Sequence, residues 1–366
     1  MTGSKLNNNP YLAQPDKAFW SRSVSKDFSA ESLGSNDSQS SLFQKEDLVV
    51  SAGSCFASNL IPWIEKEGLE YLRTEELPPQ FKDLPENLGY RNFSAAYGNI
   101  YTARHLRQLY EQALGIRVPV EDRWHIDGMV IDPFRPGLAY PAESDAEFDL
   151  LKAAHLRAVL EAFHKATVFV FTLGLTEAWQ SKVDGSVFPA CPGTISGIFD
   201  KAKHEFKNFS VEEISEDLTK FIELLRETNP KVRFIITVSP VPLVATATKS
   251  HVLLASTYSK SVLRVVAEQV SNQLNDVSYF PAFEIITGPQ APFEYFESDR
   301  RNVSEIGVAK VMNSLLQGLA TSKSNVLDPK VETKQAMKSK AGRLISEISR
   351  RISRAECDEA MMDPKL

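Results

Sequence analysis

Ser54 and Cys55 stand side by side where an apolar run ends, in the stretch VVSAGSCFASNL at residues 49 to 60. The run stops at Gly53 and a helical pattern follows, so a hydroxyl and a thiol both sit at a strand-to-helix turn. Either group can attack an acyl carbon. In open α/β folds that turn lies on the carboxyl rim of the sheet, where ligands bind. The plainer reading is a strand end, an N-cap and a small buried thiol. Between the two nucleophiles the sequence favours Cys55, because backbone N–H groups at a helix start stabilise a thiolate, whereas a serine needs a strong base.

A base must come from elsewhere in the chain. Of the six histidines, His105, His155 and His164 fall on amphipathic helices, where exposure is the default, and His204 falls in a polar loop. His125, in RWHIDG, reads as part of a hairpin. His251 differs, because it follows the strand VRFIITVSP by a short loop and opens a helix, which puts it on the same rim as Cys55. It is the candidate base, against the alternative of a loop histidine at a helix start. Glu177 lies near that rim, to orient a base, bind substrate or cap a helix. Asp132 and Arg135, in DPFRPG, read as turn chemistry, with the alternative that the pair borders the cleft. Cys191, in a Pro- and Gly-rich loop, reads as structural.

The elements that would carry these groups alternate regularly. Strands are expected at 48–52, 167–173, 232–238 and 277–282. Helices are expected at 58–68, 99–115, 145–166, 210–230, 251–274 and 304–320, and the fourth opens with the capping box Ser210 to Glu213. Apolar strands without alternation, each paired with a helix, predict a mainly parallel sheet of about five strands covered on both faces. The organisation expected is a polar leader over 1–40, one α/β domain over 41–320 and a tail over 321–366.

The tail holds nine Lys or Arg between 323 and 354 against three acidic residues, with Ala341, Leu344, Ile345, Ile348 and Ile352 on one helical face. It reads as a basic amphipathic helix for a partner protein or an anionic membrane surface, with a helix packed back on the domain as the alternative. A net charge of −6 argues against nucleic acid as a partner. Three widely spaced cysteines fit a reducing cytoplasm. No apolar run reaches 18 residues, and no secretory signal opens the chain. Neither a phosphate-cradling glycine loop nor a metal-ligand cluster is evident, so no cofactor and no metal is expected.

Four ordered stretches, GSCFA (53–57), GNIYTAR (98–104), FTLGLTEAW (171–179) and TVSPVP (237–242), resemble the GSCFA family, which is similar to the SGNH or GDSL-type hydrolases and acyltransferases. The resemblance runs from about Val49 to Met312. It implies a three-layer α/β/α sandwich, which the alternation reaches independently. It aligns Cys55 with the SGNH nucleophile and Ser54 with the aspartate before it. Gly98 and Asn99 take the place of the second, oxyanion-binding block, Thr176 that of the oxyanion asparagine, and Arg104, Asp299 and Asn302 become substrate-binding candidates. In the fourth block, Asp299-Arg300-Arg301-Asn302, asparagine stands where those enzymes carry histidine. The activity implied is an acyl-ester hydrolase or O-acyltransferase, on a small-molecule or carbohydrate ester, through a covalent acyl-enzyme. The missing histidine leaves open an inactive binding or assembly module that uses the basic tail.

Overall fold

The computed structural model describes residues 9–26, 28–33, 41–78, 89–90, 92–138, 141–317 and 319. The basic tail and Cys357 lie outside them. Near the amino end, α1 (Trp20–Ser23) and α2 (Ala30–Leu33) are single turns. Part of the expected leader is packed, because Ala30 is fully buried and its carbonyl accepts a hydrogen bond from Ser314 Oγ.

The first βα unit is β1 (Leu48–Ala52), α3 (Cys55–Ser58), α4 (Leu60–Lys66) and β2 (Glu70–Tyr71). Then come α5 (Ala103–Ala113), the antiparallel hairpin β3 (Trp124–Ile126) and β4 (Met129–Ile131), and α6 (Asp145–Lys165) leading into β5 (Val168–Leu173). An antiparallel insert follows, made of β6 (Glu177–Ser181), β7 (Val187–Phe188) and β8 (His204–Asn208). The chain continues through α7 (Val211–Thr228), β9 (Arg233–Val238), α8 (Val252–Gln273), β10 (Val277–Phe280), α9 (Ala282–Thr287) and α10 (Glu305–Leu315).

The main sheet has the order β10-β9-β5-β1-β2, all parallel. Period-two alternation assigns its side chains to two different cores. Val50, Ala52, Phe169, Phe171, Phe234 and Ile236 join the core beneath α5, α6, α7 and α8. Val49, Val168, Val170, Ile235 and Phe280 join the core beneath α3, α4, α9 and α10. Both strand faces are therefore apolar, which is why the strands read as continuous runs. The protein is a three-layer α/β/α sandwich, as the alternation predicts. At the amino edge, Arg233 and the Thr167 hydroxyl both donate to the buried Asp47 carboxylate, at 2.6 Å and 2.7 Å, and clamp β1, β5 and β9 in register.

Helix starts follow their caps. Ser210 and Glu213 form the reciprocal capping box, and Thr102 and Ser304 cap α5 and α10. The helix expected from 99 begins only at Ala103, because residues 100 and 101 spend their backbone groups on neighbouring segments. Ile100 N–H donates to the Gly53 carbonyl at 2.8 Å, and the Tyr101 carbonyl accepts from the N–H groups of Gly174 and Leu175.

Three histidines expected on the surface are buried. His105 and His155 are each 3% exposed and His204, in β8 rather than a loop, is 2% exposed. Segments remote in sequence meet them: insert residues share a cavity wall with His105, Glu75 accepts from His155 and Glu121 pairs with His204, all tertiary features that helical periodicity does not register. His125 lies in the expected hairpin, and His164 is half-buried beside Tyr110. Among the described residues no helix is long and apolar enough to cross a membrane, and no group of three His, Cys, Asp or Glu gathers to hold a metal.

Candidate active site

Counted along the chain, the parallel strands have the order 2-1-3-4-5, and the direction of winding reverses between β1 and β5. The crevice outside their carboxyl ends is where a doubly wound sheet binds its ligand. Residues 53 to 55 leave β1 there and residues 174 to 176 leave β5 there.

Gly53 makes the exit from β1 possible. Its φ of +151° disfavours a side chain, and a Cβ would lie 2.8 Å from both Ala57 Cβ and Thr172 Cβ. The tight turn puts Ser54 at the N-cap of α3 and Cys55 at its first helical position. Ser54 is buried, and its Oγ has no hydrogen-bond partner among the described residues. Cys55 is half-buried.

Cys55 lines two cavities. One, of about 70 Å³, is bordered by Ser58, Asn92, Gly98, Asn99 and Arg135. The other, of about 10 Å³, has room for about one water, and Ser54, Tyr101, Gly174, Ser239 and Arg301 border it. The structure thus brings together Cys55, Ser54, Gly98 and Asn99 from the expected set. Gly98, with φ +66°, turns the chain at this wall.

The remaining candidates lie elsewhere. His251 is exposed, caps α8 by accepting the Leu253 N–H on Nδ1 at 3.1 Å, and lines neither cavity. Thr176 is fully buried, donates its backbone N–H to Ser259 Oγ and lines neither cavity; Gly174, two residues earlier, reaches one of them. Arg104 ties α5 to α7 through Asp217 at 2.8 Å and stacks over Phe209. Asp299 and Asn302 are exposed and close a turn on each other, with Asn302 Nδ2 donating to Asp299 Oδ2 at 2.5 Å. That turn holds Arg300 at φ +57° and delivers Arg301, not Asn302, to the wall beside Ser54 and Cys55. Arg301 also donates to the Pro242 carbonyl at 3.2 Å.

Arg135 reaches the larger Cys55 cavity from a buried charge cluster, so of the pair in DPFRPG the arginine borders the cleft and Asp132 holds it from behind. Its guanidinium donates to Asp132 at 2.9 Å and lies 3.5 Å from Glu75. Glu75 also accepts from His155 Nδ1 at 2.6 Å and from the Ala96 N–H. Burial alone would raise the Glu75 pKa, but His155 and Arg135 outweigh it and bring it down to about 2.

A third, larger cavity of about 220 Å³ lies on the far side of Tyr101 and Leu175, which also border the small Cys55 cavity. Its walls are mainly apolar. Glu177 enters it from the start of β6 and accepts from Thr246 Oγ1 at 2.7 Å and the Ala247 N–H. Burial raises the Glu177 pKa against those two hydrogen bonds. Cys191 also borders this cavity, and burial pushes its thiol up to about 11, the opposite of an activated nucleophile.

No histidine or carboxylate borders either Cys55 cavity among the described residues; the charged side chains that do are two arginines. Arg135 is legible in the sequence through DPFRPG, whereas Arg301 stands in a fourth block marked chiefly by its missing histidine. His105 carries no signal of burial, because a histidine on an amphipathic helix reads as exposed.

Compared with known proteins, the model of the GSCFA family matches residues 48–315. No curated protein matches the chain.

Proposed function

Starting from a chain that belongs to the GSCFA family, whose motifs resemble those of SGNH hydrolases and acyltransferases, we propose that it is an acyl-ester hydrolase or O-acyltransferase with Cys55 as nucleophile. The observation that carries this is the seat of Cys55 at the switch point of the sheet, in the wall of two cavities that each hold an arginine. A thiolate is intrinsically nucleophilic and is favoured by neighbouring positive charge, so it does not need the histidine that a serine needs. Arg301 shares the wall of the smaller cavity with Ser54 and Cys55, and it is the cation assigned to support the thiolate.

In the reaction, the Cys55 sulfur bonds to the acyl carbon while the alcohol leaves, taking a proton from water. A water or a second hydroxyl then attacks the thioester and frees the thiol. The developing oxyanion is met by donors at Gly98 and Asn99. The larger Cys55 cavity, bordered by Asn92, Asn99, Ser58 and Arg135, suits a hydroxyl-rich alcohol, which makes a carbohydrate ester the substrate of first choice.

Intact-mass analysis after incubation with activated acyl esters tests this reading. The wild type and Ser54→Ala are expected to gain one acyl group, and Cys55→Ala none. Adduct retained in Cys55→Ala but lost in Ser54→Ala would transfer the role to the serine. No adduct and no turnover on a broad ester panel would leave a binding or assembly module. Arg301→Gln is expected to slow alkylation of Cys55 at neutral pH by up to about tenfold, the loss of thiolate that a pKa rise of about one unit produces. An unchanged pH–rate profile for iodoacetamide would exclude Arg301 from that role.

A further inference from the structure

The 220 Å³ cavity is walled by β6, β7 and β8 on one side and by the loop after β9 on the other. Gln108 of α5 holds the insert in place, donating to the Gly185 carbonyl and accepting from the Val187 N–H at 2.8 Å each. The opposite wall is fixed by Ser256 Oγ, which accepts from the Leu243 N–H at 3.0 Å. Tyr101 and Leu175 close the cavity toward Cys55, whereas the half-exposed Thr194 and Phe206 and the exposed Ala247 open it to solvent. It has its own entrance.

Strand register gathers one face of the insert around this space. Trp179 pairs with both Phe188 and Phe206, and Glu177 lies two residues before Trp179, so the four side chains share a face. All four border the cavity. The rings of Trp179 and Phe206 pack edge to face, with centroids 5.8 Å apart.

The carboxylate on that face has no counter-ion within the protein. Glu177, 9% exposed, accepts from Thr246 Oγ1 and the Ala247 N–H. Both donors also border the cavity, so the carboxylate lies in its wall. Among the described residues no lysine, arginine or histidine pairs with it, and burial raises its pKa unopposed by any positive charge. His105 borders the same cavity, but burial brings its pKa down to about 4, so it is neutral near pH 7. Buried carboxylates are as a rule paired with a cation. Two donors also leave acceptor capacity on a group that takes about four hydrogen bonds. A carboxylate beside aromatic ring faces and edges is what an organic cation finds favourable, through charge and through cation–π attraction together.

We propose that this cavity binds an organic ammonium ion, a protonated primary or secondary amine carrying one apolar substituent about the size of a phenyl ring. Its N–H groups meet Glu177, and its apolar body lies against Trp179 and Phe206. The size follows from volume. A cavity of roughly 150 Å³ holds benzene, and this one, at about 220 Å³, adds room for a short cationic arm. The proposal does not rest on the acyl-transfer reading, because no step at Cys55 enters it.

Titration calorimetry on the full chain tests it with benzylammonium, benzyl alcohol, benzoate and methylammonium. Benzylammonium is expected to bind about tenfold or more tighter than benzyl alcohol, which lacks the charge, and than methylammonium, which lacks the ring. Benzoate is expected not to bind. Glu177→Gln, which keeps the side chain's shape, is expected to bring benzylammonium down to the level of benzyl alcohol. If that variant does not fold, Ala247→Cys on the rim locates the ligand. Benzylammonium should slow alkylation of that cysteine, read by peptide mass, and benzoate should leave it unchanged. The proposal is overturned if benzyl alcohol, benzoate or methylammonium binds as tightly as benzylammonium. It is overturned equally by a cation preference that survives Glu177→Gln, by an unprotected rim cysteine, or by no binding of benzylammonium. None of these results bears on whether Cys55 takes an acyl group.

Discussion

Gly53→Ala is expected to lower the free energy of unfolding by about 2–5 kcal/mol, through a strained backbone and an overpacked turn together. The added Cβ would lie 2.8 Å from two side-chain carbons and 3.0 Å from the Thr172 carbonyl oxygen, and none of these is the loose end of a flexible chain. Thr172 belongs to β5, so relief can come only by parting β1 from β5 or by swinging α3 outward. Either movement displaces Cys55 from the wall it shares with Arg301. The same variant should therefore lose most Cys55 reactivity toward acyl esters under conditions where it remains folded. Urea unfolding and the adduct rate measure the two effects separately. A Gly53→Ala protein with an unchanged midpoint and adduct rate would mean that the turn relaxes freely.

Glu75→Ala should have an effect of comparable size, about 3–5 kcal/mol at neutral pH, because removing one member of a buried charge cluster strands the others. Arg135 loses one of its two carboxylates, and His155 and the Ala96 N–H lose the acceptor they share. The pH dependence has a definite sign. The Glu75 carboxyl is depressed in the folded protein from 4.5 to about 2, so its contribution is fully present above pH 4.5. It is lost as the pH falls through that window toward 2. The difference amounts to about 3 kcal/mol, because each tenfold gain in acidity on folding is worth about 1.36 kcal/mol. Acid titration of stability should show that slope in the wild type and lack it in Glu75→Gln. Equal slopes would place the acid sensitivity elsewhere.

The main sheet was legible because its three central strands are buried on both faces, and apolar runs such as VFVFTL announce that condition directly. The edge strand Glu70–Tyr71 is two residues long and carries no periodicity to read. The insert was missed for a related reason. EAWQS and HEFKN are short and half-exposed, and their pairing is set by turns rather than by pattern. At the site, the turn carrying Ser54 and Cys55 was legible because Gly53 separates a strand from a helix. His251 was drawn in by its position along the chain, and its ring turns out to cap its own helix. Arg301 and His105 were invisible for one physical reason. Which residue of a turn or helix faces a cavity depends on what packs over it, and in both cases the covering segment lies far away in the sequence.

The register clamp at the foot of the sheet has a consequence for the order in which the protein is made. Asp47 holds Thr167 and Arg233, which lie 120 and 186 residues further along the chain. Closing a loop of that length costs about 4 kcal/mol of chain entropy before any strand pairing repays it, and such long-range topology slows folding. Translation at roughly 5–20 residues per second delivers Arg233 some 10–40 seconds after Asp47. For most of that interval the first strand lacks its β5 neighbour, and β5 in turn lacks β9 until the interval ends, so Cys55 is an accessible thiol on an unfinished chain. The nascent protein is therefore most vulnerable to oxidants and electrophiles at the residue proposed as its nucleophile, until the middle of the sheet has left the ribosome.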